Sequence, residues 1–458
     1  MGIFGALTTA VTGLRAQSFA LENISGNIAN SQTTAFKRVD TSFEDLIPDN
    51  IPSKQLAGNV VANSRMTNTV QGDIQVSQVG TFMAINGDGF FAVQKPSGFA
   101  DNQPVFDGIE LYTRRGDFQP DKNGFLVNGA GYYLMGIDVD PTTGNLAGSV
   151  PELLQFDNGF LPAQPTTQVQ YEANLAAYPR TPAHDTAIPG SELLDPADYT
   201  VNPTAAGAGT VIGTDQATFL DNSIGGGAVT AYDVSGAPVN LQLRWAKIDS
   251  TTVGGDNTWN LFYQVDAGAT GAAVAWQNAD VDYDFEPNGQ MSPPALTSVT
   301  LTGVTVNGVS LGNISLQHGA SGLTQFADTN GNVQVNALQQ NGFAAGVLQS
   351  VTVSDKGRVV GSYSNGRTVD LAEITLAKFN GPNGLKRIDG GAFMVTEESG
   401  QPTYSGSGKI VGSSLEGSNT DIADEFTKLI VTQQAYSANT RVISTGNQMV
   451  QDLLNMLR

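Results

Sequence analysis

From Ile422 to the end of the chain, Phe426, Leu429, Gln433, Tyr436, Thr440, Ile443, Asn447, Val450, Leu454 and Leu457 follow one another at alternating steps of three and four. That is a heptad seam, the pattern of a helix that buries one narrow face against another helix. Most of its positions are large and apolar; Gln433, Thr440 and Asn447 interrupt it and are placed to set register. No proline and one glycine, Gly446, occur from Asp421 onward. Asp421 stands where an N-cap belongs, and Asp424 and Glu425 occupy the first turn, where carboxylates favour the helix dipole. At about 1.5 Å per residue such a helix runs roughly 55 Å. It needs a partner.

The first thirty residues carry a matching pattern. Leu7, Val11, Leu14, Ser18, Leu21, Ser25 and Ile28 alternate by four and three. The serines weaken this seam, and Gly13 and Gly26 each cost about 1 kcal/mol of helix propensity. The segment is marginal alone and is expected to order on the C-terminal helix and on neighbouring copies. Asn23, Asn27 and Asn30 share one helix face, either as a solvated stripe or as amides bonding between subunits. The two ends are also nearly neutral: residues 1–50 and 415–458 each carry three basic and five acidic side chains, leaving 16 basic against 33 acidic in 51–414. Negative charge sits on the part expected to face solvent.

Between the ends the texture changes. With 53 glycines, 20 prolines and only 14% charged residues, the chain reads as β-rich and turn-rich. Residues 39–70 show no sustained period and read as an irregular connection. From Asp73, short apolar runs bounded by Gly, Asn and Asp follow, with Asp73–Val76 and Ala84–Val93 read as strands joined by the tight Asn86-Gly87 turn. Runs such as Val239–Trp245, Trp259–Val265 and Val299–Val306 continue the strand pattern, and a boundary falls near Thr166–Glu172.

Reactive chemistry is sparse. Zero cysteines exclude a disulfide framework, zinc–thiolate sites and cysteine catalysis. A net charge of −21 excludes a basic nucleic-acid footprint. No run reaches 18 apolar residues, so no transmembrane span is expected, and the N-terminus has no cleavable secretory pattern. His184 and His318 are far apart and lack zinc-site spacing. Gly87-Asp88-Gly89 lacks the helix a dinucleotide needs, and Asp328-Thr329-Asn330-Gly331 reads as a hairpin turn in preference to a calcium loop. Arg114-Arg115 reads as a surface ion pair in preference to a binding spot. No catalytic, cofactor or metal site is expected, and no enzyme.

Gly5-Ala6-Leu7, Gly13-Leu14, Asn27-Ile28-Ala29-Asn30, Thr33 and Phe36-Lys37 resemble the N-terminal signature of the flagellar axial proteins, the rod and hook subunits. Leu415-Glu416-Gly417-Ser418-Asn419-Thr420-Asp421, with Phe426, Ile430, Gln433, Ala435-Tyr436, Ala438-Asn439 and Ile443, resembles the other half. Ala35 stands where that family usually has glycine, which argues against a positive-φ turn there. The resemblance implies a mainly β fold with α-helical termini: a terminal helical coiled-coil domain from 1–30 and 418–458, a connecting segment 31–70, an inner β-domain from 71–168 and 340–417, and an outer β-domain, 169–339, inserted in it. The length of the outer domain favours the hook branch. The implied function is a self-assembling structural subunit of a bendable tube that carries torque, with no cofactor. The implied partners are further copies of the chain, the distal rod, the hook cap, the hook–filament junction proteins and the flagellar export apparatus. The implied place is extracellular, reached without a cleaved leader. The assembly surface is expected at the seam residues of both ends with Asn23, Asn27, Asn30, Thr33 and Phe36. The alternative from another class is a secreted β-rich adhesin or binding protein with an intramolecular helical stalk.

Overall fold

A computed structural model describes residues 3–46, 59–140, 143–156, 159–207, 209–319, 322–404 and 408–456. The chain is mostly β-strand, with a long helix at each end. It divides into two compact units, Met1–Gly159 with Leu348–Arg458, and Phe160–Val347. The described helices are α1 (Ile3–Ala29), the short α2 (Gln216–Asp221) and α3 (Ile422–Met456).

In the first unit α1 and α3 lie antiparallel, with Leu7 beside Gly446, Gly13 beside Asn439, and Asn27 bonded to Glu425. The Asp421 carboxylate caps α3, accepting from the Ala423 and Asp424 amides at 2.8 and 3.3 Å. The chain then departs from the expected irregular connection. β1 (Val39–Leu46) and β2 (Asn59–Met66) pair along their full length, from Val39↔Met66 to Leu46↔Asn59. Neither strand buries one clean face, so no period-2 alternation marked them.

Two short ladders tie the outgoing chain to the returning one. β3 (Ile74–Val76) pairs Ser414–Glu416, and β4 (Met83–Asn86) pairs Lys409–Gly412. β4 therefore does not pair with β5 (Phe90–Ala100). The backbone turns at Gly87 (φ 99°) and Gly89 (φ 137°), but the Asn86-Gly87 step is no hairpin, a correction to the sequence reading. β5 instead pairs β6 (Gln103–Thr113) and the strands Tyr133–Asp138 and Leu376–Lys378. Its start is buried on both faces. Phe91 and Val93 join Met83, Phe118 and Leu134 in one core, while Phe90 and Ala92 join Tyr112, Phe379 and Phe393 in another. Burial on both sides is why Phe90–Val93 is an unbroken apolar run.

The second unit holds two five-stranded sheets. One is antiparallel, in the order Thr210–Ile212, Val274–Phe285, Asn257–Gln264, Pro238–Asp249, Ile224–Tyr232; the other is centred on Gln168–Asn174 and Val309–Gln317. Tyr171, Leu301, Ile314 and Leu316 of the second share a core with Trp245, Trp259, Leu261 and Tyr283 of the first. The first sheet's other face is covered by Leu194, Tyr199 and Phe219 against Phe262 and Trp276.

Candidate assembly surface

The two signature halves meet at the root of the helix pair. Beyond α1 the chain turns at Ala35, which has φ 55° and whose amide donates to the Glu416 carbonyl at 2.8 Å. The positive-φ turn is thus kept with alanine in glycine's place, at a cost of about 1–2 kcal/mol, and the contrary expectation is corrected. Phe36 is buried beneath the Arg387 guanidinium, 4.2 Å from its ring centre.

Lys37 is fully buried and donates to the Glu416 carboxylate and, at 2.7 Å, to the Val70 carbonyl. Glu416 also accepts from the Gly72 amide at 2.9 Å and faces Arg114 at 3.4 Å. Arg114 donates in turn to the Gly87 carbonyl at 2.7 Å. Burial pulls the Lys37 and Arg114 pKa values down, and Glu416 opposes the shift in each. Asn419 finishes the joint: its carbonyl oxygen accepts from the Arg38 amide at 2.7 Å, and its amide donates to Thr67 Oγ1 and the Val70 carbonyl, each at 3.1 Å. The motif residues therefore lock the helix pair to β3 and β4. Only Arg115 of the two adjacent arginines is a surface ion pair, held to Asp117 at 2.7 and 2.8 Å; Arg114 is a buried clamp.

Along the helices, the buried row lies one residue ahead of the predicted seam. On α1 it is Ala10, Gly13, Ala20, Ile24 and Asn27, with Ala16 buried beside it; on α3 it runs through buried Glu425 and Thr432 and half-buried Ala435, Asn439 and Gly446. The row is small and polar because the backbones come close. A Cβ on Gly446 would stand 2.8 Å from Leu7 Cδ2, and one on Gly13 would stand 3.0 Å from Asn439 Nδ2. Asn27 is buried and engages its neighbours within the chain, donating to Glu425 Oε2 and the Val39 carbonyl and accepting from the Val39 amide. Asn23 donates to Thr41 Oγ1 at 2.9 Å; Asn30 donates to the Gly26 carbonyl and accepts from the exposed Thr33 hydroxyl. Both amide donors of Asn27 are thus engaged inside the chain, which corrects the reading of that residue as a bond between subunits.

The predicted seam residues fall into two groups. Leu7, Leu14, Leu21, Ile28, Leu429, Ile443 and Val450 are half-buried on the flanks of the pair. Val11, Phe426, Gln433, Tyr436, Thr440, Asn447 and Leu454 are exposed, with Phe426 at 51% and Leu454 at 61%. Leu457 lies outside the described residues. Ile430, Val431, Val442, Met449, Leu453 and Met456 extend the exposed apolar surface along α3. Sequence reasoning named Ile430 only as a signature residue and passed over the other five, because it looked for a single seam.

Elsewhere the titratable groups serve the fold. His318 is wholly buried between Tyr283 Oη at 3.2 Å and the Tyr171 carbonyl at 3.0 Å, and burial lowers its pKa. His184 lies 3.8 Å from Glu192 and is half-buried. Asp328 closes its own turn, accepting from the Asn330 amide at 2.8 Å. Among the described residues no group of three His, Asp or Glu side chains could hold a metal ion, and no helix is long and apolar enough to cross a membrane.

Comparison with known proteins adds an independent line. Residues 411–456 match the C-terminal domain of the flagellar basal body rod FlgEFG proteins, 84–155 the D1 domain of the flagellar hook proteins FlgE/F/G, and 214–343 the D2 domain of the flagellar basal body protein FlaE. The flagellar hook protein FlgE of Brucella suis is 30% identical over 463 residues, covering 100% of both chains. The one from Escherichia coli is 28% identical, covering 98% of this chain and 100% of its own. The crystal structure of Helicobacter pylori flagellar hook protein FlgE2 is similar at 16% identity and a TM-score of 0.48, covering 75% of this chain and 100% of its own.

Proposed function

The chain belongs to the flagellar hook protein family and is a structural subunit of the flagellar hook; from that premise we propose that it assembles through the outward apolar faces of its terminal helix pair. One observation carries the reading. The pair closes on itself through small residues and leaves Phe426, Tyr436, Leu453, Leu454 and Met456 in water. Apolar surface of that extent is a contact waiting for a second molecule, and burying it contributes about 25 cal/mol per Å². A head-to-tail contact of this kind does not close and builds a helix. Copies packed this way would form a tube whose inner wall is the helix pairs, as a coiled-coil layer, with the β-domains nested outside. The near-neutral ends suit a crowded inner wall, and acidic, glycine-rich outer domains suit surfaces that slide as the tube bends. The tube's ends would meet the distal rod, the cap and the junction proteins, and the subunit's place would be extracellular, in the flagellum.

The test is direct. Phe426→Asp and Leu454→Asp change exposed positions, so each monomer should keep the wild-type circular dichroism and melting temperature. Electron micrographs of concentrated protein should show tubes for the wild type and none for the variants. Tubes from both variants at the wild-type concentration would sink the reading.

A further inference from the structure

Among the half-buried and buried arginines, Arg38, Arg114, Arg115 and Arg358 face carboxylates, and Arg244 gives its N–H groups to Ser223 and the Leu220 carbonyl. Arg387 alone among them, in the described residues, does neither. It stacks on Phe36 and makes one hydrogen bond, from Nη1 to the Lys37 carbonyl at 3.3 Å. Arg387 also lines a cavity of about 240 Å³ with Asn30, Thr33, Thr34, Arg115 and Gly390. Asp389 borders the same cavity without forming an ion pair with Arg387. Burial pulls the Arg387 pKa down and no carboxylate opposes it, in contrast to Arg114.

A guanidinium held over a ring and lining a cavity with no counter-charge is suited to take a carboxylate in a two-pronged bond. We propose that Arg387 and its cavity receive an aspartate or glutamate side chain of a second copy of this chain. Two observations choose that occupant. The chain has 43 acidic against 22 basic residues, so a neighbouring copy offers carboxylates in excess over cations. Asn30, Thr33 and Thr34 of its lining also follow directly on the C-terminal end of α1, one of the two helices proposed for assembly. The inference rests on that assembly reading.

The experiment measures the protein concentration at which tubes first appear, for wild type, Arg387→Met, Arg387→Lys and Phe426→Asp, alongside a benzophenone amino acid at exposed position 389. Arg387→Met keeps the stacked stem but loses the charge and should raise that concentration about tenfold or more. Arg387→Lys, which keeps charge without the fork, should fall between. The photocrosslink should join position 389 to an Asp- or Glu-containing peptide of a neighbouring copy. If Arg387→Met assembles at the wild-type concentration while Phe426→Asp does not, the carboxylate socket is wrong and the assembly surface stands. If Phe426→Asp also assembles normally, the assembly reading fails. Crosslinks confined to the same chain would overturn the socket as well.

Discussion

Glu416 is the residue on which the root depends most. Its carboxylate is the one anion in contact with both buried cations, so removing it leaves Lys37 without a counter-charge and Arg114 with only the more distant Asp88. Glu416→Ala should destabilise the first unit by about 3–5 kcal/mol in urea denaturation, and an unchanged midpoint would show that water replaces it. Ala35 gives a finer measure. Valine in its left-handed turn should cost a further ~1–2 kcal/mol, whereas Ala35→Gly should be neutral or mildly stabilising, because relief of strain offsets the freer unfolded chain. In the second unit, burial lowers the Lys247 pKa to about 8. Between about pH 8 and 10 the unfolded chain holds a proton there that the folded chain releases. Stability should therefore rise with pH across that window, by at most about 1.4 kcal/mol per unit, and Lys247→Met should abolish the difference.

Helix packing admits a similar test. Gly446→Val would drive a branched side chain into Leu7 and cost about 1–3 kcal/mol, and Leu7→Ala in the same chain should recover part of it. A cycle showing no coupling would place the helices farther apart than described. This close approach also explains what the sequence disclosed of the helices. Their existence, length and Asp421 cap were legible from period and capping chemistry alone. Their buried face was not, because apolar periodicity reports every apolar contact, within the chain or between chains. Here the large residues lie outside and the small ones inside. The signature residues were legible as a pair of motifs, but Ala35, Phe36, Lys37, Glu416 and Asn419 became one joint only in three dimensions. The β1–β2 ladder had no signal to read, since Phe43, Leu46 and Val61 all stay partly in water.

Across the molecule, strands were legible as apolar runs between turn residues, but their partners were not. β4 pairs with Lys409–Gly412, more than three hundred positions away, and no local pattern encodes such a pairing. The two ends of the second unit do lie together, with Phe160 opposite Val347 and Leu161 opposite Gly346. Replacing residues 160–347 with a short Gly-Ser linker should therefore leave a first unit that unfolds cooperatively. A deletion product without a thermal transition would show that the two units fold as one.

The antiparallel helix pair also imposes an order in time. Asn27 and Glu425 are separated by 398 positions, and Lys37 and Glu416 by 379. While the chain is being made, α1 emerges first and finds no Thr432, Asn439 or Gly446 to close against until nearly every other residue has followed it. A glycine-containing helix with no partner is marginal in water, so the earliest segment to exist is the last to settle. The newborn chain therefore cannot close its helix pair until synthesis is nearly done, and the surface proposed for assembly is complete only then.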